Sequence, residues 1–183
     1  MAFLKTTAIA TATLIATLLP RAAVAQPQAE PKGEYALKAV FLYNFCRFIE
    51  WPKSAFASPN EPIIIGVIGE DPFGPLLKQA VQGETSRGRA IQIAHYSKLE
   101  AIGHCHLLFV SHSEAGRTEK ILSSVSGKSI VTVGETDAFL DRGGMIALTA
   151  DKNRVRLHIN PSLLRAASLD VSSKLLRVAE VKP

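Results

Sequence analysis

An α/β domain with a mixed, mostly parallel sheet, flanking helices and a C-terminal antiparallel hairpin is the fold predicted for this 183-residue chain. Pro62-Ile63-Ile64-Ile65-Gly66-Val67-Ile68-Gly69 is a continuous β-branched run, the mark of a strand covered on both faces. Strand and helix patterns then alternate as β-α-β-β-α-β through Val133, which implies parallel strands joined by helical crossovers. Finally, only Ala150-Asp151-Lys152-Asn153 joins Gly144–Thr149 to Arg154–Ile159, a connection short enough to demand a hairpin.

Met1–Ala25 has the form of a secretory signal peptide. Lys5 gives a positive start, Thr6–Leu19 an apolar run and Ala23-Val24-Ala25 a small-residue cleavage site. That run is short for a bilayer crossing and no other segment is apolar for long enough, so the exported chain is not expected to span a membrane. Residues 26–33, with two prolines and a glycine, read as a flexible leader, and 34–183 as one domain. Cleavage takes away Lys5 and Arg21 and no acid, so the formal charge falls from +5 to +3. So mild a charge, dispersed along the chain, argues against nucleic acid as a partner.

Leu37, Val40, Phe41, Phe45 and Phe48 recur at helical spacing, and Trp51-Pro52 stops the helix because proline disfavours the helical state of its predecessor. Tyr35, Ala39, Leu42, Cys46 and Ile49 make the opposite side apolar too. Such a helix must be covered on two faces, inside the domain or against another chain, so Leu42, Tyr43, Glu50 and Trp51 are candidate interface residues. After the first strand, Asp71-Pro72 reads as a helix start with Leu76, Leu77 and Ala80 as the buried stripe. Strands are expected at Ala90–His95, His106–Ser111 and Ser129–Val133, with a helix over Glu114–Val125. Beyond the hairpin, Asn160-Pro161 starts a short helix to Ala167, and a last amphipathic helix runs through Leu175, Leu176 and Val178.

Few motifs point to chemistry. Gly66-Val67-Ile68-Gly69 with Gly74 lacks dinucleotide-fingerprint spacing, and Glu70 and Asp71 would repel a pyrophosphate. His104-Cys105-His106 offers three ligand types, yet a strand points Cys105 away from the two histidines and no second ligand pair stands nearby, so no metal is expected. No nucleophile elbow and no acid–base pair is present, and neither enzyme activity nor a cofactor is expected. Cys46 and Cys105 can pair in an oxidising compartment or remain buried thiols, since a domain of this size does not need a bridge.

The strongest polar constellation is Arg154-Val155-Arg156-Leu157-His158-Ile159. Alternation sends Val155, Leu157 and Ile159 to the core and gathers Arg154, Arg156 and His158 on the other face, which is either a solvated surface or a site for a carboxylate or phosphate. Arg47 lies within a helical turn of Tyr43, Glu50 and Trp51, so it either steadies the helix end or walls a pocket.

Several segments together resemble the YfiR-like family of bacterial periplasmic regulators. They are Tyr35–Phe45 with Arg47-Phe48 and Glu50-Trp51-Pro52, Ile65–Gly69 with Asp71-Pro72-Phe73-Gly74, Cys105–Ser111, Ser129–Val133, Gly143-Gly144-Met145-Ile146, Val155–Asn160 and Leu169–Leu176. The resemblance implies a non-catalytic periplasmic protein that represses an inner-membrane diguanylate cyclase by contacting its periplasmic sensor region, lowering cyclic di-GMP output and biofilm formation, commonly as a homodimer. Relatives with a regulatory disulfide carry additional cysteines, whereas this chain has two. Arg47, Arg156 and His158 all fall inside the matching motifs, and the resemblance implies that they form one site for an anionic small molecule or a partner's acid. The alternative function is a stand-alone periplasmic binder of an anionic or aromatic ligand.

Overall fold

A computed structural model describes residues 31–102, 104–151 and 154–182, so the expected signal peptide lies outside the described residues. In chain order, α1 (Pro31–Phe48) leads into β1 (Ile49–Glu50), and β2 (Ile63–Ile68) precedes α2 (Pro75–Val81), β3 (Thr85–Ser86) and β4 (Arg89–Tyr96). Next come β5 (Leu107–Val110), α3 (Thr118–Val125), β6 (Val131–Gly134), α4 (Asp137–Asp141), β7 (Ile146–Asp151) and β8 (Arg154–Ile159). The last described elements are α5 (Pro161–Ala166), β9 (Asp170–Val171), α6 (Ser173–Leu176) and β10 (Glu180–Val181).

Eight strands form one sheet in the order β10-β8-β7-β6-β5-β2-β4-β3. β4, β2, β5, β6 and β7 run parallel, β7 and β8 make the antiparallel hairpin, and β10 adds parallel to β8. The expected mixed, mostly parallel sheet is therefore present. β1 and β9 pair separately, Ile49 with Val171 and Glu50 with Asp170, which ties the end of α1 to the C-terminal segment.

Strand alternation divides the interior in two. Ile63, Ile65, Val67, Leu107, Phe109, Leu157 and Ile159 pack on one face against Leu42, Phe45 and Cys46 of α1 and Leu77 of α2. Ile68, Leu108 and Val110 face the other way, toward Ile121 and Val125 of α3 and Phe139 of α4. Both faces of the central strands are covered, as their unbroken apolar composition requires. The Phe139 ring sits on two glycines: a Cβ at Gly134 or Gly144 would come within 2.3 or 2.1 Å of its carbons.

Local details depart from expectation in several places. Ala150 and Asp151, expected in the hairpin turn, pair with Val155 and Arg154 at the end of β7, α3 starts at Thr118 and not Glu114, and α4 is a helix beyond those expected. α1 begins at Pro31, upstream of the expected domain start at Glu34. Asp71 does not cap α2. Its carboxylate accepts the Phe73 amide at 2.8 Å in an Asx turn, and the helix starts after Gly74, at φ +53°, with Pro75 in its first turn. The last expected helix shortens to Ser173–Leu176, after which the chain turns into β10 and leaves Val178 exposed. An apolar residue one turn further along was too slight a signal against a break of this kind.

Candidate functional site

β8 carries the polar face that its alternation predicts. The Arg156 guanidinium donates to Asp151 at 2.9 Å and to Glu180 at 3.0 Å. His158 is buried beneath, with Nε2 3.0 Å from the Thr149 hydroxyl and Nδ1 3.4 Å from the second Glu180 oxygen, outside hydrogen-bond geometry. Asp137, at the start of α4, lies 3.9 Å from His158 and receives the Lys182 ammonium at 2.5 Å. Arg156 and His158 are thus brought together, and three carboxylates and a lysine join them. Glu180 was hidden in a segment that reads as helix, and Asp137 in one without a strong periodic pattern.

Arg47 stands apart. It is exposed on α1, its guanidinium 5.7 Å from the Tyr43 ring and 6.0 Å from the Phe48 ring. α1 packs on the face of the sheet that Leu157 and Ile159 occupy, whereas Arg156 and His158 point to the opposite face. A single site holding all three is not what the fold assembles, because a sheet stands between them.

The candidate interface residues also separate. Leu42 is fully buried in the core and leaves no surface for a partner. Tyr43 donates to Glu84 at 2.5 Å, and Glu50 pairs with Arg87. Trp51 donates through Nε1 to the His106 carbonyl oxygen at 3.0 Å. Outward on α1, Leu37 and Val40 are 43% and 45% exposed, with Phe41 half-buried beside them. The helix is therefore covered on its sheet face and open on the other.

The segment between β1 and β2 closes over His106. Phe56 stacks on that imidazole at 4.4 Å, Arg89 covers Phe56 at 3.7 Å, and Arg89 also donates to the Glu61 carbonyl oxygen at 2.6 Å. His106 accepts the Ile64 amide at Nδ1, and burial first, then the neighbouring His104, pushes its pKa down to about 4. Glu61, His104 and His106 each offer a ligand atom within 4.8 Å of the others, a grouping absent from the sequence reading because Glu61 is remote in the chain. With Nδ1 of His106 used as an acceptor, the ring proton resides on Nε2, and a metal there would have to displace it. Only His104 and Glu61, 2.8 Å apart, remain as ready donors.

A buried charge cluster sits at the carboxyl ends of β5 and β6. Lys38 of α1 lies 2.6 Å from Glu34 and 2.7 Å from Glu135, and Glu135 accepts the His112 amide at 3.0 Å. Tyr35 packs beside them with Lys38 over its ring at 4.7 Å, and burial followed by the Glu135 charge raises its pKa. This network anchors α1 to the sheet. Its members are spent on one another.

Both cysteines are buried free thiols, Cys46 in the core under α1 and Cys105 in the core under α3. The sheet lies between these cores, which is the physical reason that they do not pair. Burial raises their pKa values to about 12 and about 11.

Two solved structures share the fold. A conserved domain protein from Vibrio cholerae O1 biovar El Tor aligns with a TM-score of 0.50 and 13% identity over 65% of this chain and 54% of its own. An ABC domain from Streptococcus pneumoniae, solved in complex with L-Trp, aligns with a TM-score of 0.51 and 11% identity over 66% of this chain and 55% of its own. This chain thus spans little more than half of either. No curated protein matches it in sequence. The YfiR/HmsC-like family does match, over residues 35–180, and the chain belongs to that family.

Proposed function

We propose that this chain is a periplasmic, non-catalytic regulator that represses a membrane-bound diguanylate cyclase by binding its periplasmic sensor region, lowering cyclic di-GMP signalling and biofilm formation. The observation that carries this reading is the open face of α1. Leu37 and Val40 present apolar surface on a helix whose other face is already core, and this supports reading the outer face as a protein contact. Arg47 flanks that stripe, while Arg156 and His158 offer a second, charged contact for a partner's acid. Family membership supports the choice of partner. No described helix is long and apolar enough to cross a membrane, which fits a partner met outside the inner membrane, and a homodimer is the expected assembly.

The test is a titration of the mature protein against the purified periplasmic region of a cyclase encoded beside it. Val40→Asp should weaken binding at least tenfold with an unchanged melting temperature, and Arg156→Ala with His158→Ala should weaken it independently. Undiminished binding in all variants, or undiminished repression of cyclic di-GMP in cells, overturns the proposal.

A second reading is a small-molecule binder. An open cavity of about 470 Å³ between α2 and β4 has Leu77, Val81, Ile91 and Ile93 in its lining and Asp71, Lys78 and His95 as polar groups. Its size suits a small ligand. A thermal shift produced by an anionic or aromatic compound with no protein partner present would favour this reading.

A further inference from the structure

We propose that the outer edge of β8 is an exchangeable strand-binding site, filled by β10 in the free protein and by a partner's extended, carboxylate-bearing segment in the complex. The inference rests on the reading of Arg156 and His158 as a contact for a partner's acid, and it names the form in which that acid arrives.

β10 is bound in the manner of a ligand. It pairs in parallel with β8, Glu180 beside His158 and Val181 beside Ile159, and the Lys182 amide donates to the Ile159 carbonyl oxygen at 2.9 Å. Glu180 places one carboxylate oxygen on Arg156 and the other near His158. These are the two contacts that an incoming acid would make. Lys182 completes the clasp on Asp137.

The strand is held weakly. Glu180 and Val181 are both exposed and β10 buries no apolar side chain in either core, so a short ladder and two exposed ion pairs, Arg156 with Glu180 and Lys182 with Asp137, retain it. Exposed ion pairs contribute little to stability. Underneath, His158 is 5% exposed and its Nδ1 has no hydrogen-bond partner, so the present occupant leaves a buried polar atom unsatisfied. A segment that seats a carboxylate closer to Nδ1 gains a hydrogen bond that Glu180 does not make. Removal of β10 also exposes backbone donors and acceptors of β8, an edge that an extended peptide completes.

Two full-length variants loosen the occupant while leaving the receiving residues in place. Lys182→Pro removes both the amide bond to Ile159 and the clasp on Asp137, and Glu180→Gln removes the carboxylate. The probe is a fluorescent peptide with the sequence of Val178–Lys182, followed by anisotropy alongside titration with the cyclase's periplasmic region. The Lys182→Pro protein should bind the peptide at least tenfold more tightly than wild type, a Gln in place of Glu in the peptide should reverse most of the gain, and both variants should bind the cyclase region more tightly. Equal peptide binding by wild type and both variants overturns the exchange, while a loss of cyclase binding on Arg156→Ala in the same series leaves the broader reading standing. Cyclase binding indifferent to Arg156→Ala and His158→Ala overturns both.

Discussion

The Trp51 indole is hydrogen-bonded to the backbone of His106, 55 positions further along the chain, at 3.0 Å. Two segments inside the family match, Glu50-Trp51-Pro52 and Cys105-His106, therefore meet at the amino-terminal ends of β2 and β5. Their shared role is to seal the sheet under the β1–β2 connection. Trp51→Phe keeps an aromatic ring but loses the donor, and the His106 carbonyl retains the Val131 amide as a partner. The expected cost is about 1–2 kcal/mol, read as a lower urea midpoint with an unchanged slope.

His106 makes folding stability sensitive to acid. Its pKa is lowered from 6.5 to about 4 in the folded chain by burial and the neighbouring His104, so the unfolded chain binds the proton more tightly. The resulting stability is full above about pH 6.5 and declines as pH falls toward 4, by up to about 3 kcal/mol. Urea melts across that window should show the decline, and His106→Gln should flatten it. A slope unaffected by the substitution would remove His106 as its source.

Lys38 and Glu135 form a buried pair whose members depend on each other. Lys38→Met leaves the Glu135 carboxylate in the interior with the His112 amide and the Tyr35 hydroxyl but without its cation, and should cost about 3–5 kcal/mol. The Lys38→Met, Glu135→Gln double variant should recover a large part of that loss. A double-mutant cycle by chemical denaturation measures the coupling.

The two thiols should resist modification in the native state. Burial raises both pKa values well above neutrality and screens both sulfurs from solvent. Alkylation without prior reduction should be slow in buffer and add two adducts in denaturant, read by intact mass. A single mass with no adducts in denaturant would mean that the protein is bridged.

Much of the sheet was legible in the chain because its signals are local. The Ile63–Ile68 run, the short link between the two hairpin strands and the Asn160-Pro161 cap each specify their element over a few residues, and Asn160 does accept the Ser162 and Leu163 amides. The site was only half legible. β8 alternation correctly gathered Arg156 and His158, but the proximity of Arg47 was a statement about which side of the sheet α1 would choose, and periodicity carries no such information. Glu180 and Glu61 act through tertiary proximity to residues 24 and 43 positions away, and a single carboxylate in a loop or tail gives no local sign of its partner. Leu42 and Val40 are both apolar helix residues, and only the packed fold shows that the first is core and the second is surface.

The seat of Phe139 on Gly134 and Gly144 reaches further than packing. Phe139 fixes α4, and α4 begins with Asp137, the residue that clasps Lys182. A dense interior passes a small displacement on rather than absorbing it. One methyl group added at Gly144, in the core, would meet both the Phe139 ring and the Phe139 carbonyl oxygen, the latter at 2.7 Å, and so would push on the helix itself as well as on its side chain. The placement of Asp137, and through it the hold on Lys182, thus depends on two interior positions that only glycine can fill.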